Sequence, residues 1–331
     1  MTSPPRAAGR SPELAPELVR LIRRLPKAEL HLHLEGSVQP ELALALARRR
    51  GVALPGVEDG LDGVRRAYAR PYKTFREFVR LYVAISSCLQ EPEDFCEVTV
   101  ALARALAEQH VRYAEVTFTP MTHVTRGVPA EIITHGLAEG RERARALYGV
   151  QLAWVFDIVR CFADQAAPTL ELALQERERG VIGLGFAGPE EPRWPYAPFA
   201  EVFAEARAEG LHALPHAGEG GGPESIRGAL TVLGAERIGH GVRCLEDPEL
   251  VALLRARRVP LEVCPSSNVA TGVVPDLASH PLPRLLAAGL EVSLASDDPP
   301  MFSTTLTDEY LRCAAAFSWS RGQVLALAAA A

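Results

Sequence analysis

The chain places imidazoles and carboxylates where they can share one ion. Glu29-Leu30-His31-Leu32-His33-Leu34-Glu35-Gly36 alternates strictly, with leucines on one side and Glu29, His31 and His33 on the other. That is the period of a short strand, and two imidazoles two residues apart on a strand point the same way. Further along stand His216 in His216-Ala217-Gly218-Glu219, His240 in Ile238-Gly239-His240-Gly241, and the pair Asp297-Asp298 before Pro299. Each has an ordinary reading when taken alone: polar residues at a strand end, a satisfied core histidine, or a turn or helix cap for Asp-Asp-Pro. Brought together, three imidazoles and one carboxylate make a donor set suited to a divalent transition metal, most often zinc, with room left for water. A metal lowers the pKa of bound water to about 7. Glu219, set beside the small Ala217 and Gly218, is placed to shuttle protons. The chemistry these residues offer is metal-assisted hydrolysis. His110, His123, His135, His212 and His280 fall elsewhere and read as structural or exposed.

Such residues converge only if the elements carrying them do. After the opening strand, strand-like runs follow at 111–118, 151–159, 181–186, 211–216, 237–240, 259–264 and 290–296. Amphipathic helical patterns lie between most of them, at 129–147, 164–179, 198–209, 222–234, 247–257 and 281–288. Eight strands in β/α alternation predict a parallel sheet closed into a TIM (β/α)8 barrel, whose chemistry sits at the C-terminal strand ends, where these histidines and aspartates fall. A doubly wound open sheet is the runner-up, but no Gly-x-Gly-x-x-Gly opens the first helix. Residues 1–12 read as a disordered tail and 13–331 as one barrel domain, entered by a helix from about Pro12 to Arg24. Helices at about Pro40–Arg50, Thr74–Leu89 and Pro92–Gln109, with a Gly/Pro-rich stretch at 51–63, form a long helical insertion after the first strand. At about 40–110 it reads as a lid over one barrel mouth.

Composition narrows the partners. The 331 residues are 48% hydrophobic, ample for a large core, and a net charge of −6 offers nothing to a polyanion, so no nucleic acid is expected. Arg48-Arg49-Arg50 reads as the solvated end of a helix. Six scattered cysteines form no Cys-x-x-Cys pair, and Cys161 and Cys264, in apolar strand-like runs, read as buried free thiols of a reducing compartment. No run is apolar enough to span a membrane and the N-terminus has no signal core, which leads to the expectation of a cytoplasmic protein.

Five separated stretches resemble, in order, the signatures of the adenosine deaminase family of the amidohydrolase superfamily. They are Leu25-Pro26-Lys27-Ala28-Glu29-Leu30-His31-Leu32-His33-Leu34-Glu35-Gly36, His216-Ala217-Gly218-Glu219, Arg237-Ile238-Gly239-His240-Gly241, Cys264-Pro265-Ser266-Ser267-Asn268 and Ser296-Asp297-Asp298-Pro299. The resemblance covers about residues 25–320 and implies a TIM barrel, one zinc ion per subunit, and replacement of the 6-amino group of a purine by oxygen with release of ammonia. It implies a monomer or homodimer acting on a small-molecule 6-aminopurine. By the same resemblance His31, His33, His216 and Asp297 are the zinc ligands, Glu219 the acid that protonates purine N1, and His240 the residue that orients the attacking water. Asp298 would hydrogen-bond N7, for which it must be protonated or face a donor. Gly188 would offer its backbone N–H to N3. Phe75, Phe78 and Tyr82 recur at helical spacing on the lid; Phe78 and Tyr82 read first as core packing and otherwise as an apolar wall over the base.

Departures from the family pattern bear on the substrate. The position of Glu35 is usually Asp in adenosine-specific members, where it holds the ribose. Glu moves the carboxylate by about 1.5 Å, large beside the roughly 0.5 Å tolerance of a preorganised site. Glu here resembles the relatives that act on adenine or on aminodeoxyfutalosine. The adenine branch usually carries Ser-Ser-Glu after the fourth strand, whereas this chain has Phe186-Ala187-Gly188-Pro189-Glu190, closer to the nucleoside type. The combination implies a nucleoside, aminodeoxyfutalosine or adenosine, with adenine as the alternative and a catalytically silent nucleoside-binding relative as a distant one. Glu190-Glu191-Pro192-Arg193-Trp194-Pro195 reads as a surface loop, or as a seat for the far end of a substrate, Arg193 meeting a carboxylate and Trp194 an aryl group. The chain ends at Leu325-Ala326-Leu327-Ala328-Ala329-Ala330-Ala331, where relatives usually continue into a further helical tail, a difference expected to affect stability more than chemistry.

Overall fold

A computed structural model describes residues 14–69, 72 and 75–331, with Phe75 by its backbone alone. The expected tail and the expected start of the first helix at Pro12 lie outside the described residues. Among those described, helix α1 (Pro16–Arg24) precedes β1 (Lys27–His33), followed by α2 (Pro40–Arg50), α3 (Gly60–Ala69), α4 (Phe75–Ser86) and α5 (Pro92–Glu108). Then come β2 (Val111–Phe118), α6 (Pro120–Val124), α7 (Ala130–Tyr148), β3 (Gln151–Val159), α8 (Ala166–Gln175), β4 (Val181–Ala187), α9 (Ala200–Ala208) and β5 (His212–Ala217). The chain continues through α10 (Pro223–Gly228), β6 (Ile238–His240), α11 (Pro248–Arg257), β7 (Leu261–Val263), α12 (Pro265–Ala270), α13 (Leu282–Ala287) and β8 (Val292–Leu294), and ends with α14 (Leu306–Phe317) and α15 (Arg321–Ala330).

All eight strands pair in chain order and in parallel. The barrel closes just past the end of β8: the His33 N–H donates to the Asp297 carbonyl at 3.0 Å and the Asp297 N–H to that of His31 at 3.2 Å. A TIM (β/α)8 barrel is the result, as the sequence predicts; α2–α5 lie between β1 and β2, and α3 among them was not expected. Large apolar side chains fill the space between strands and helices. Trp154 and Phe156 of β3 line the seam against Leu137 of α7, and Phe186 of β4 packs edge-on to Phe199 at 4.6 Å. Residues of opposite parity face the barrel interior, which is polar near the mouth. At the foot of β1, the buried Lys27 donates to the carbonyls of Ile22, Leu25 and Gln109, tying the ends of α1 and α5 to the strand.

Local differences from the sequence reading have physical causes. Residues 60–63, expected within an irregular stretch, open α3. The expected Thr74–Leu89 helix stops at Ser86, and the helix expected at 222–234 is α10 continued by a π turn, Ala229–Leu233. β6, β7 and β8 are each three residues long, shorter than the apolar runs suggest, and the backbone turns sharply at the end of β6 and after β8. His240 and Asp297 both take the left-handed conformation, at φ 63° and 64°, uncommon for residues with a Cβ and concentrated at functional sites. Cys264 is buried as expected, but Cys161 lies in the turn after β3 and is only half-buried. Arg49 and Arg50 are not merely a solvated helix end, because both bond the fully buried Asp94 at the start of α5.

Candidate active site

The strand ends bring the expected residues into one cluster. Ring centroids of His31 lie 5.6 Å from His33, 4.5 Å from His216 and 5.0 Å from His240. Asp297 Oδ1 stands 3.3 Å from His33 Nε2 and 3.8 Å from His31 Nε2, and its Oδ2 is 3.7 Å from His240 Nε2. His33 Nε2 and His216 Nε2 face each other at 3.2 Å. All of these residues are buried.

Their protonation follows from the neighbours. His31 Nδ1 sits 2.9 Å from Glu262 Oε2, an acceptor, so the ring carries its proton there and leaves the Nε2 lone pair free. Burial lowers the His31 pKa and holds His216 well below its ordinary value, so both rings are kept neutral. Burial alone would raise Glu262, but Arg237, 2.5 Å away, and His31 hold it below the ordinary carboxylate range. Arg237 also pairs with Glu115.

Buried ring nitrogens without partners are costly unless something fills the gap. His31 Nε2 and His216 Nδ1 are two such atoms. Ligand atoms of His31, His33 and Asp297 lie within 4.8 Å of one another, as do those of His31, His216 and His240, so the residues present fit a divalent metal. Cys264 is the further sulfur in the neighbourhood, grouped with His240 and Asp297. Burial drives its thiol pKa well up, which leaves it a protonated bystander.

His240 has its tautomer set from outside the cluster. The Leu282 N–H donates to His280 Nδ1 at 3.1 Å, so His280 carries its proton on Nε2 and donates to Asn268 Oδ1 at 3.1 Å. Asn268 Nδ2 then donates to His240 Nδ1 at 3.2 Å, which leaves the Nε2–H of His240 facing Glu219 Oε2, 3.7 Å away. His280, read from sequence as structural or exposed, is buried and starts this chain. Burial lowers its pKa to about 4 from 6.5. The stability carried by its neutral form is therefore complete above pH 6.5 and is lost as the pH falls through about 4. The shift corresponds to about 3 kcal/mol. Urea unfolding should show His280→Gln with a flatter pH dependence than the wild type between pH 6.5 and 4; parallel curves would remove His280 as the group responsible.

Glu219 follows β5 on a loop fixed by Glu190. That carboxylate accepts from the backbone N–H groups of Gly218 at 2.7 Å, Glu219 at 2.9 Å and Gly220 at 3.1 Å, and from the Ser225 hydroxyl. Burial raises the Glu219 pKa despite the opposing pull of His240, favouring a carboxyl that can give a proton. Asp298 is also raised well above its ordinary value, by burial and then by Asp297. It lies so close to Gly36 that a Cβ there would stand 1.5 Å from its Oδ1. Gly36 is thus required by approach.

Other expected residues take less central places. Glu35 is fully buried, receiving the Tyr82 hydroxyl at 3.0 Å and facing His123 Nε2 at 2.9 Å. His123, expected to be structural or exposed, is structural and supports a candidate substrate residue. Phe78 packs on Tyr72 and Phe302, with ring centroids at 5.6 and 5.3 Å, while Tyr82 lies edge-on to His33 at 6.2 Å and gives its hydroxyl to Glu35. The Phe75 side chain lies outside the description. Gly188 follows β4 at φ 95°, where a Cβ would meet Val159 at 3.1 Å. Arg193 pairs with Glu191 and lies 5.3 Å over the Trp194 ring. Sequence reasoning passed over Glu262, Arg237 and Asn268 although all three stand inside quoted stretches or strands; a lone carboxylate inside the apolar run Leu261-Glu262-Val263 was the available signal for the first.

Comparison with known proteins agrees with this geometry. Residues 26–331 match the family described as adenosine deaminase. An adenine deaminase of Cupriavidus taiwanensis is 43% identical over 86% of this chain and 80% of its own. An aminodeoxyfutalosine deaminase of Streptomyces avermitilis is 41% identical over 89% of this chain and 82% of its own. The crystal structure of adenine deaminase from Arthrobacter aurescens superposes with a TM-score of 0.86 at 37% identity, covering 92% of each chain. The chain belongs to the adenosine deaminase family of the amidohydrolase superfamily and is a hydrolytic deaminase acting on C–N bonds.

Proposed function

We propose that the protein is a zinc-dependent deaminase of a 6-aminopurine nucleoside, with aminodeoxyfutalosine or adenosine as substrate. His31, His33, His216 and Asp297 would hold the ion. Bound there, zinc supplies Lewis acidity that makes water a nucleophile at neutral pH. Glu219 gives a proton to purine N1 and so makes C6 electrophilic. The Nε2–H of His240 orients the attacking oxygen, and Asp298 and the Gly188 N–H hold N7 and N3. Water adds at C6; of its two protons one restores the proton that Glu219 gave to N1 and the other passes to the departing –NH2, so that the C6–N bond breaks, C6=O forms and ammonia leaves. Helix α4 brings Tyr82 to Glu35.

The observation supporting a nucleoside is the buried acidic end beside the base site, where Glu35 is held by Tyr82 and His123. A free base offers only its N9–H at that end, whereas a nucleoside offers sugar hydroxyls. The second reading, adenine, is favoured by the names of the Cupriavidus and Arthrobacter relatives. Ammonia release with adenine, adenosine and aminodeoxyfutalosine separates them: kcat/KM should be highest for a nucleoside, and a far higher value for adenine overturns the proposal.

A further inference from the structure

Asp157 is a buried carboxylate with nothing to do in the protein as it stands. It is 1% exposed, and neither oxygen has a hydrogen-bond partner among the described residues. A buried carboxyl left unpartnered is costly to the fold and persists where a ligand uses it. Its place in the barrel says which ligand atoms those are. His33 pairs with Thr117 and Thr117 with Val155. Asp157 therefore stands two residues nearer the mouth on the inward face of β3, one layer above the metal-site histidine. Its charge acts on His33, and Glu35 and Arg160 act on it; Tyr82 also lies within its field. The next strand makes room for it: Gly185 pairs with Asp157, and a Cβ at Gly185 would lie 2.0 Å from Oδ1.

Glu35 is less free. One oxygen already receives the Tyr82 hydroxyl, and the other faces His123 Nε2. Arg126 donates to His123 Nδ1 at 3.1 Å, so the His123 proton is on Nε2 and is given to Glu35. Of the two carboxylates at this end of the site, Asp157 has both oxygens open, and two adjacent acceptors match two adjacent hydroxyls. We propose that Asp157 is the substrate-binding residue that accepts hydrogen bonds from the vicinal hydroxyls of the nucleoside sugar, with Glu35 as its protein-braced neighbour. The assignment rests on the nucleoside reading above.

Adenosine and 2′,3′-dideoxyadenosine, measured as substrates or competitive inhibitors, test it. The wild type should bind adenosine at least about tenfold more tightly, as expected for two hydrogen bonds to a buried carboxyl. Asp157→Ala should erase that preference by weakening adenosine alone, and Asp157→Asn, which keeps one acceptor oxygen, should fall between. Neither variant should melt below the wild type, because the removed carboxyl has no protein partner; a merely structural residue would lower Tm and weaken both ligands alike. A preference unchanged in Asp157→Ala, an equal loss on both ligands, or a wild type that binds both equally overturns this assignment alone. A wild type that deaminates adenine and binds neither nucleoside overturns the nucleoside reading and this assignment together.

Discussion

Glu219→Gln should lower kcat at least about 100-fold while leaving the metal content of the purified protein unchanged. Glutamine has the shape of the carboxyl but no proton to give and take, so the loss measures general acid–base work, typically about 10²- to 10⁴-fold. The geometry makes the comparison clean. The loop is held through the backbone N–H groups of residues 218–220 by Glu190, and none of those bonds involves the Glu219 side chain. Among the described residues its carboxylate accepts a hydrogen bond from Thr271 alone, long at 3.4 Å and open equally to a glutamine oxygen. His240 stays fixed by Asn268 and His280. Steady-state kinetics beside elemental analysis check the prediction, and near-normal turnover would remove Glu219 from proton transfer.

What could be read from the sequence, and what could not, divides along the range of the interactions. His31 and His33 were legible because strict alternation fixes the face of a strand within a few residues. The barrel was legible because β/α alternation repeats, and its closure brings the ends of β1, β5, β6 and β8 together without any local signal being needed. Glu262 was not legible as a support, since its partner His31 is 231 residues away. Glu190 sat in what looked like a surface loop, yet it acts on backbone N–H groups, which every sequence has and none advertises. Asp157 offered a signal, a lone carboxylate in the apolar run Val155-Phe156-Asp157-Ile158, that period and family pattern alike leave unread. Glu35 was legible by identity but its setting was not: Tyr82 and His123, 47 and 88 residues away, meet its carboxylate.

Removal of Asp297 should have the other large effect, on the metal itself. Asp297→Ala is expected to leave the protein with far less than one zinc per chain after dialysis and to abolish turnover. Asp297 does two jobs: its carboxylate faces His31, His33 and His240, and its backbone closes the barrel from the left-handed region. Alanine tolerates that region less well than Asp or Asn, so lost zinc could reflect a strained closure instead of a lost ligand. Asp297→Asn separates the two, because it keeps the backbone preference and the side-chain volume while removing the charge. It should melt close to the wild type in the zinc-free state and still bind zinc weakly. Glu262→Gln provides the graded case. It leaves every ligand in place but removes the anion that holds the His31 proton on Nδ1, and a supporting partner of this kind contributes roughly 10- to 100-fold in affinity. The order of zinc affinity should therefore run wild type, then Glu262→Gln, then Asp297→Ala; undiminished zinc in Asp297→Ala would refute its place among the ligands.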